Sequence, residues 1–146
     1  MPVPPPLPDP FDELLGYHMR RLSQLVMADL AERMDALGLR PTEASVLFVI
    51  AGGAGVTQSD IGRMLGIKRA NMAPLIAGLE ARGLVSRSAV DGRSQALRLT
   101  ADGETTRAQA REAVYANERR CFGTLADDQR LALAETVRGL WAHLEG

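Results

Sequence analysis

Three observations predict a mainly α-helical chain with a small two- or three-stranded β-wing. Residues 57–100 read as helix, turn, helix and charged hairpin in that order; apolar residues recur at helical spacing on both sides of that block; and Asp91-Gly92 marks a tight reverse turn. Thr57 stands three residues before Asp60. That spacing lets an N-cap oxygen and a first-turn carboxylate satisfy the free amides where a helix starts. A short helix over about 58–65 follows. Gly66 comes where the chain must turn sharply, because glycine enters the left-handed region without steric penalty. The next helix begins near Arg69, with Met72, Leu75, Ile76 and Leu79 forming one apolar stripe, and Gly83 ends it.

Two short strands are predicted beyond Gly83. Leu84 to Ser88 and Ala96 to Thr100 alternate apolar and polar side chains, with Leu84, Leu97 and Leu99 available to cover the helices. Asp91-Gly92 joins them, since both residue types tolerate positive φ. Arg87, Arg93 and Arg98 cluster here, which a plain solvated hairpin has no need of. The whole block has the outline of a winged helix-turn-helix, so duplex DNA is the expected partner.

Charge segregation points the same way. The net charge is −1, yet residues 62–98 hold seven basic and two acidic residues. The local field at a contact surface, not the total, attracts phosphate. Sixteen of the seventeen basic residues are arginine, a bias that GC-rich coding also produces and that therefore carries little weight.

The flanks are helical. Six of the eight prolines fall in residues 1–10, which are expected to form a disordered tail. From Phe11 to Leu37 the stripe Leu15, Met19, Leu22, Val26, Leu30, Met34 and Leu37 predicts one long helix stopped by Gly38. Pro41-Thr42-Glu43 opens a helix whose Ala44, Val46, Leu47 and Val49 are apolar nearly all round. A helix over about 102–122 is followed by a break at Gly123-Thr124 and a last helix from Asp127-Asp128 to Leu144. These terminal helices carry more apolar surface than a small winged core can cover, so pairing with a second copy is expected. The domain reading is then a tail at 1–10, a dimerisation region at 11–40 and 101–146, and a DNA-binding domain at 41–100. With neither a signal peptide nor an apolar run long enough for a membrane span, and with Cys121 alone, a cytoplasmic protein is expected.

From Phe11 to Leu144 the chain resembles the MarR (multiple antibiotic resistance regulator) family. The resemblance is carried by Leu79-Glu80-Ala81-Arg82-Gly83-Leu84-Val85-Ser86-Arg87, the Asp91-x-Arg93 wing, and Leu97-x-Leu99-Thr100-x-x-Gly103. It implies a triangular homodimer with intertwined first, fifth and sixth helices, acting as a repressor on a pseudo-palindromic operator. It also implies an effector pocket between the dimer helices and each DNA-binding lobe.

On that reading the helix from Arg69 to Arg82 enters the major groove and the wing reaches toward a minor groove. Its outward face, Ala70, Ala73, Pro74, Ala77 and Ala81, suits close approach and thymine methyls but offers few hydrogen bonds. Base readout is therefore expected from Arg69, Asn71 and Lys68, and phosphate contacts from Ser59, Arg63, Arg82 and Arg87. Arg93 is expected in the minor groove, with Asp91 either orienting it or serving turn chemistry alone. Pro74 departs from the family pattern and predicts a late helix start or a slight bend.

Rival classes find little support. His18 and His143 are the only histidines, no Gly-rich phosphate loop occurs, and no ligand pair has metal-site spacing, so neither catalysis nor a metal or cofactor is expected. A redox- or metal-responsive regulator of the same fold, and a winged helix that binds protein without DNA affinity, stay open as alternatives. Cys121 is expected among apolar neighbours as an inert packing residue. A small organic anion, an aromatic carboxylate or its thioester, is the expected effector. Tyr17, His18 and Arg21 supply polar groups on the first helix, and Phe48 and Tyr115 supply walls.

Overall fold

A computed structural model describes residues 7–89 and 95–146. Those residues form six helices and one two-stranded sheet: α1 (Leu15–Asp35), α2 (Pro41–Ala51), α3 (Gln58–Leu65), α4 (Arg69–Ala81), β1 (Val85–Ala89), β2 (Gln95–Leu99), α5 (Ala101–Phe122) and α6 (Asp127–Glu145). The Pro-rich tail expected over 1–10 lies outside the described residues as far as residue 6.

The long first helix starts four residues later than its apolar pattern predicts. Asp9 accepts from the Phe11 amide and the Leu14 amide closes on the Phe11 carbonyl, so residues 11–13 form a turn. At the other end Gly38 adopts φ +66°, and the Leu39 amide returns to the Met34 carbonyl at 3.0 Å. That left-handed turn hands the chain to α2, where Pro41 occupies the first helical position, whose missing amide is free in any helix.

Burial concentrates between α2 and the helix-turn-helix. Val46, Leu47, Ile61, Ile76 and Leu79 are fully buried, and Met34 and Ala110 join them from α1 and α5. Each large aliphatic side chain placed there contributes roughly 1.5–3 kcal/mol relative to exposure. The sheet pairs Val85 with Leu99 and Arg87 with Leu97 in antiparallel register. One further bridge, Thr57 to Ala96, and a 2.8 Å bond from the Leu97 amide to the Val56 carbonyl lay the start of α3 against the wing as a vestigial third strand.

Thr100 locks wing to α5. Its hydroxyl accepts from the Gly103 amide at 3.0 Å and donates to the Gly83 carbonyl at 2.5 Å. Gly103 is required there, since a β-carbon would collide with the Leu84 carbonyl. By contrast α6 buries no residue at all. No described helix is long and apolar enough to cross a membrane.

Candidate nucleic-acid interface

The helix-turn-helix is fixed by local chemistry. Thr57 accepts from the Asp60 amide at 3.3 Å, and the Asp60 carboxylate accepts from the Thr57 amide at 3.0 Å and hydroxyl at 2.7 Å. Those bonds, the hydroxyl first, hold the Asp60 carboxyl below its ordinary range. Gly66 takes φ +64° and the Ile67 amide reaches the Gly62 carbonyl, which turns the chain into α4.

On α4 the inner stripe is as predicted: Met72, Ile76 and Leu79 are buried and Leu75 half-buried. The outer face exposes Arg69, Ala70, Asn71, Ala73, Pro74, Ala77, Gly78 and Ala81. The late start expected from Pro74 does not occur, because α4 begins at Arg69, with the Asn71 and Met72 amides both bonded to the Lys68 carbonyl. Pro74 sits in the helix interior, and the exposed surface around it leaves the orphaned carbonyl open to water.

The predicted DNA residues separate into two groups. Ser59, Arg63, Lys68, Arg69 and Asn71 are all exposed on α3, the turn and the start of α4. Arg63 makes only a loose ion pair, 3.7 Å from Asp60. Arg82 and Arg87, expected at phosphates, are exposed but also engaged within the protein. The Arg82 guanidinium donates to Glu43 Oε2 at 3.2 Å and to the Gly38 carbonyl at 2.6 Å. Arg87 donates through Nε to Glu80 Oε1 at 2.8 Å, which ties β1 to α4. Asp91 and Arg93 lie outside the described residues.

The five expected effector residues are not gathered into one site. Tyr17 and Arg21 line an open cleft of about 360 Å³ with Arg20, Gln24 and Leu25. There Phe11 stacks on Tyr17 at 4.8 Å, and Arg21 donates to the Tyr17 hydroxyl at 3.1 Å. His18 stands alongside, its Nε2 2.7 Å from the Asp12 carbonyl. Phe48 lines a different cleft with Val49, Val56 and Met64. Tyr115 is exposed on α5 beneath Arg111, whose guanidinium carbon lies 5.3 Å from the ring centre.

Two polar clusters escaped the sequence reading. Glu43, 8 % exposed, accepts from the Arg40 amide and side chain as well as from Arg82. Burial pushes its carboxyl up, but the Arg40 bonds and the two positive charges outweigh that and hold it below the ordinary value. Asn117, 3 % exposed, bridges α5 to α1 by donating to the Val26 carbonyl and Asp29. Asp29 also binds Arg33 at 2.6 Å and Arg120 at 2.8 Å. Cys121, expected among apolar neighbours, is half-buried beside this cluster, its Sγ 3.6 Å from Asn117 Nδ2. The Glu43 cap was legible from Pro41-Thr42-Glu43; its partner 39 residues away was not. Among the described residues, no group of three or more His, Cys, Asp or Glu could hold a metal.

Comparison with known proteins gives this geometry its context. A family model described as the MarR family matches residues 37–94. The transcriptional repressor CouR bound to a 23-mer DNA duplex is 34% identical, with 89% of this chain and 94% of that one covered and a TM-score of 0.82. CouR from Rhodococcus jostii RHA1 bound to p-coumaroyl-CoA is 25% identical over 91% of this chain and 95% of that one, TM-score 0.83. The Mycobacterium tuberculosis MarR family protein Rv2887 complexed with salicylic acid is 25% identical over 88% and 97%, TM-score 0.69. With the winged helix-turn-helix, its flanking helices and this likeness extending over nearly the whole chain, the protein belongs to the MarR family of transcriptional regulators.

Proposed function

We propose that this protein is a homodimeric cytoplasmic repressor that leaves a pseudo-palindromic operator when it binds an aromatic carboxylate or its thioester. The observation that carries the DNA part is the exposed row Ser59, Arg63, Lys68, Arg69 and Asn71, held rigidly by the Thr57–Asp60 cap and the Gly66 turn. In a dimer the two α4 helices would meet major grooves about 34 Å apart, one turn of duplex. Arg69 and Asn71 read base edges, Lys68 assists, and Ser59 and Arg63 meet phosphate. Arg93, at the wing tip by sequence, enters the adjacent minor groove, and Asp91 orients it or serves the turn alone.

For the effector, a relative bound to p-coumaroyl-CoA and another bound to salicylic acid are both partners of aromatic acid chemistry. In this chain Tyr17, His18 and Arg21 form the candidate anion end, where a guanidinium pairs with carboxylate and the Tyr17 ring offers a face. Phe48 and Tyr115 belong to other surfaces of the same chain and are left out of that site. The ligand releases DNA only by binding the non-binding arrangement of the lobes more tightly than the binding one.

The test is fluorescence anisotropy of the purified protein on duplexes selected from a random library, repeated with salicylate and p-coumaroyl-CoA. Tight salt-sensitive binding that either compound weakens is expected. Absence of any selected duplex would sink the repressor reading, and binding indifferent to both compounds would move the effector to another chemical class.

A further inference from the structure

Arg82 is the C-cap of α4, at the end of the helix remote from Arg69 and Asn71. Its guanidinium spans two other elements at once. One nitrogen binds Glu43 on the first turn of α2 at 3.2 Å, and the other binds the Gly38 carbonyl, in the left-handed turn between α1 and α2, at 2.6 Å. Glu43 is itself held by the Arg40 amide at 2.9 Å and the Arg40 guanidinium at 3.2 Å, so the acceptor cannot wander. The turn at Gly38 is where the dimerisation helix α1 hands over to the DNA-binding lobe.

We propose that Glu43 and Arg82 are positioning residues: their clasp fixes the angle at which α4 meets DNA and couples that angle to α1. The proposal rests on the DNA-binding reading above. Its force comes from leverage. Thirteen residues of α4 span about 20 Å, so a tilt of about 10° about the clasped end moves Arg69 and Asn71 by about 3 Å. Productive contacts tolerate only about 0.5 Å. The buried stripe Met72, Ile76 and Leu79 resists translation of α4, whereas the clasp acts at its end, where a tilt is controlled. Lysine cannot replace Arg82, because one ammonium on a flexible stem does not reproduce the two-pronged fork.

The experiment uses the full chain and a duplex selected from a random library, with affinity measured against salt concentration for wild type, Glu43→Gln, Arg82→Lys and the double variant Glu43→Gln/Arg82→Lys. Each single variant is expected to lose selected-duplex affinity by roughly threefold to thirtyfold. Affinity for unrelated duplex and the salt slope should stay at wild type, and the double variant should be no worse than the weaker single one. A phosphate-contacting Arg82 gives the opposite pattern: Glu43→Gln would free the guanidinium and hold or raise affinity, and Arg82→Lys would bind normally. That pattern overturns the clasp. If Glu43→Gln fails to fold, Arg82→Lys alone decides, since a phosphate contact survives that change and a fork does not. Wild type that binds no duplex would overturn the DNA reading, and the clasp with it.

Discussion

At the scale of single residues, the contacts proposed for α3 and for the wing tip carry separable expectations. Arg63 is exposed with one loose partner, so Arg63→Ala should weaken selected and unrelated duplex alike and reduce the salt slope by about 1. Arg93→Ala should instead weaken the selected duplex by about 1–3 kcal/mol and leave unrelated DNA nearly unaffected, the scale of a specific groove contact. Anisotropy titrations at several salt concentrations distinguish the two; equal effects of both variants on both duplexes would refute the division. Carboxylates paired within the fold set a second expectation. Glu43 and Asp29 both have pKa values lowered in the fold, by the Arg40 and Arg82 contacts against burial in one case and by Arg33 and Asn117 in the other. A depressed carboxyl contributes stability that is fully present above its unfolded pKa, near 4, and is lost as pH falls through the lower folded value. Acid unfolding followed by helical circular dichroism should therefore steepen below about pH 4 in wild type, and Glu43→Gln should flatten that limb. An unchanged pH dependence would show that the Glu43 contacts contribute nothing to the fold.

At the scale of elements, helix ends were legible wherever one residue decides them. Thr57, Gly66 and Gly83 each act on their nearest neighbours in sequence, so α3 keeps its expected bounds and α4 runs from Arg69 to the turn at Gly83 without the late start that Pro74 suggested. The two wing strands form as expected and pair Ser86 with Arg98, each lying one residue nearer the tip than expected, and the Leu84 amide closes the α4 turn on the Leu79 carbonyl. The start of α1 was misplaced because the apolar period continues through residues that Asp9 draws into a turn. Pro74 supplies the prediction at this scale. It stands in the interior of α4 on an exposed face, where it removes one helical hydrogen bond and contributes no burial. Pro74→Ala should stabilise the fold by about 1–3 kcal/mol and raise the melting temperature. A neutral or lower melting temperature would mean that the proline ring has a packing role that its exposure does not reveal.

At the scale of the whole molecule, the described surface is unfinished along the terminal helices. Leu15 is 64 % exposed, Trp141 51 % and Leu144 83 %, and Leu22, Leu25, Leu131 and Leu140 are exposed with them. Helix α6 has no buried residue, and its Leu133 and Val137 share an open cleft with Met19, Leu22 and Phe122. A second copy covering α1 and α6 removes that surface from water, so the protein is expected to be a dimer whose fold depends on it. Truncation before Asp127 should abolish the dimer. Light scattering of the intact chain as a stable monomer at micromolar concentration would contradict the dimer, and so would a truncated chain that still dimerises.

What the sequence determined by itself is governed by short spacing: the caps and glycine turns of the helix-turn-helix, the inner stripe of α4, the pairing of the wing, and the basic block set in an acidic chain. Periodicity and capping act within one or two turns, so a single chain read in order displays them. What only the tertiary structure decided is which charged groups are free. Arg63 and Arg82 look alike in the sequence, yet one faces solvent and the other is clasped by Glu43 and Gly38. Tyr17, Phe48 and Tyr115 likewise read as parts of one pocket and stand on separate surfaces. The physical reason is that a hydrogen bond or a cavity wall depends on distance in space, and residues far apart along the chain carry no local signal of whether folding brings them within reach.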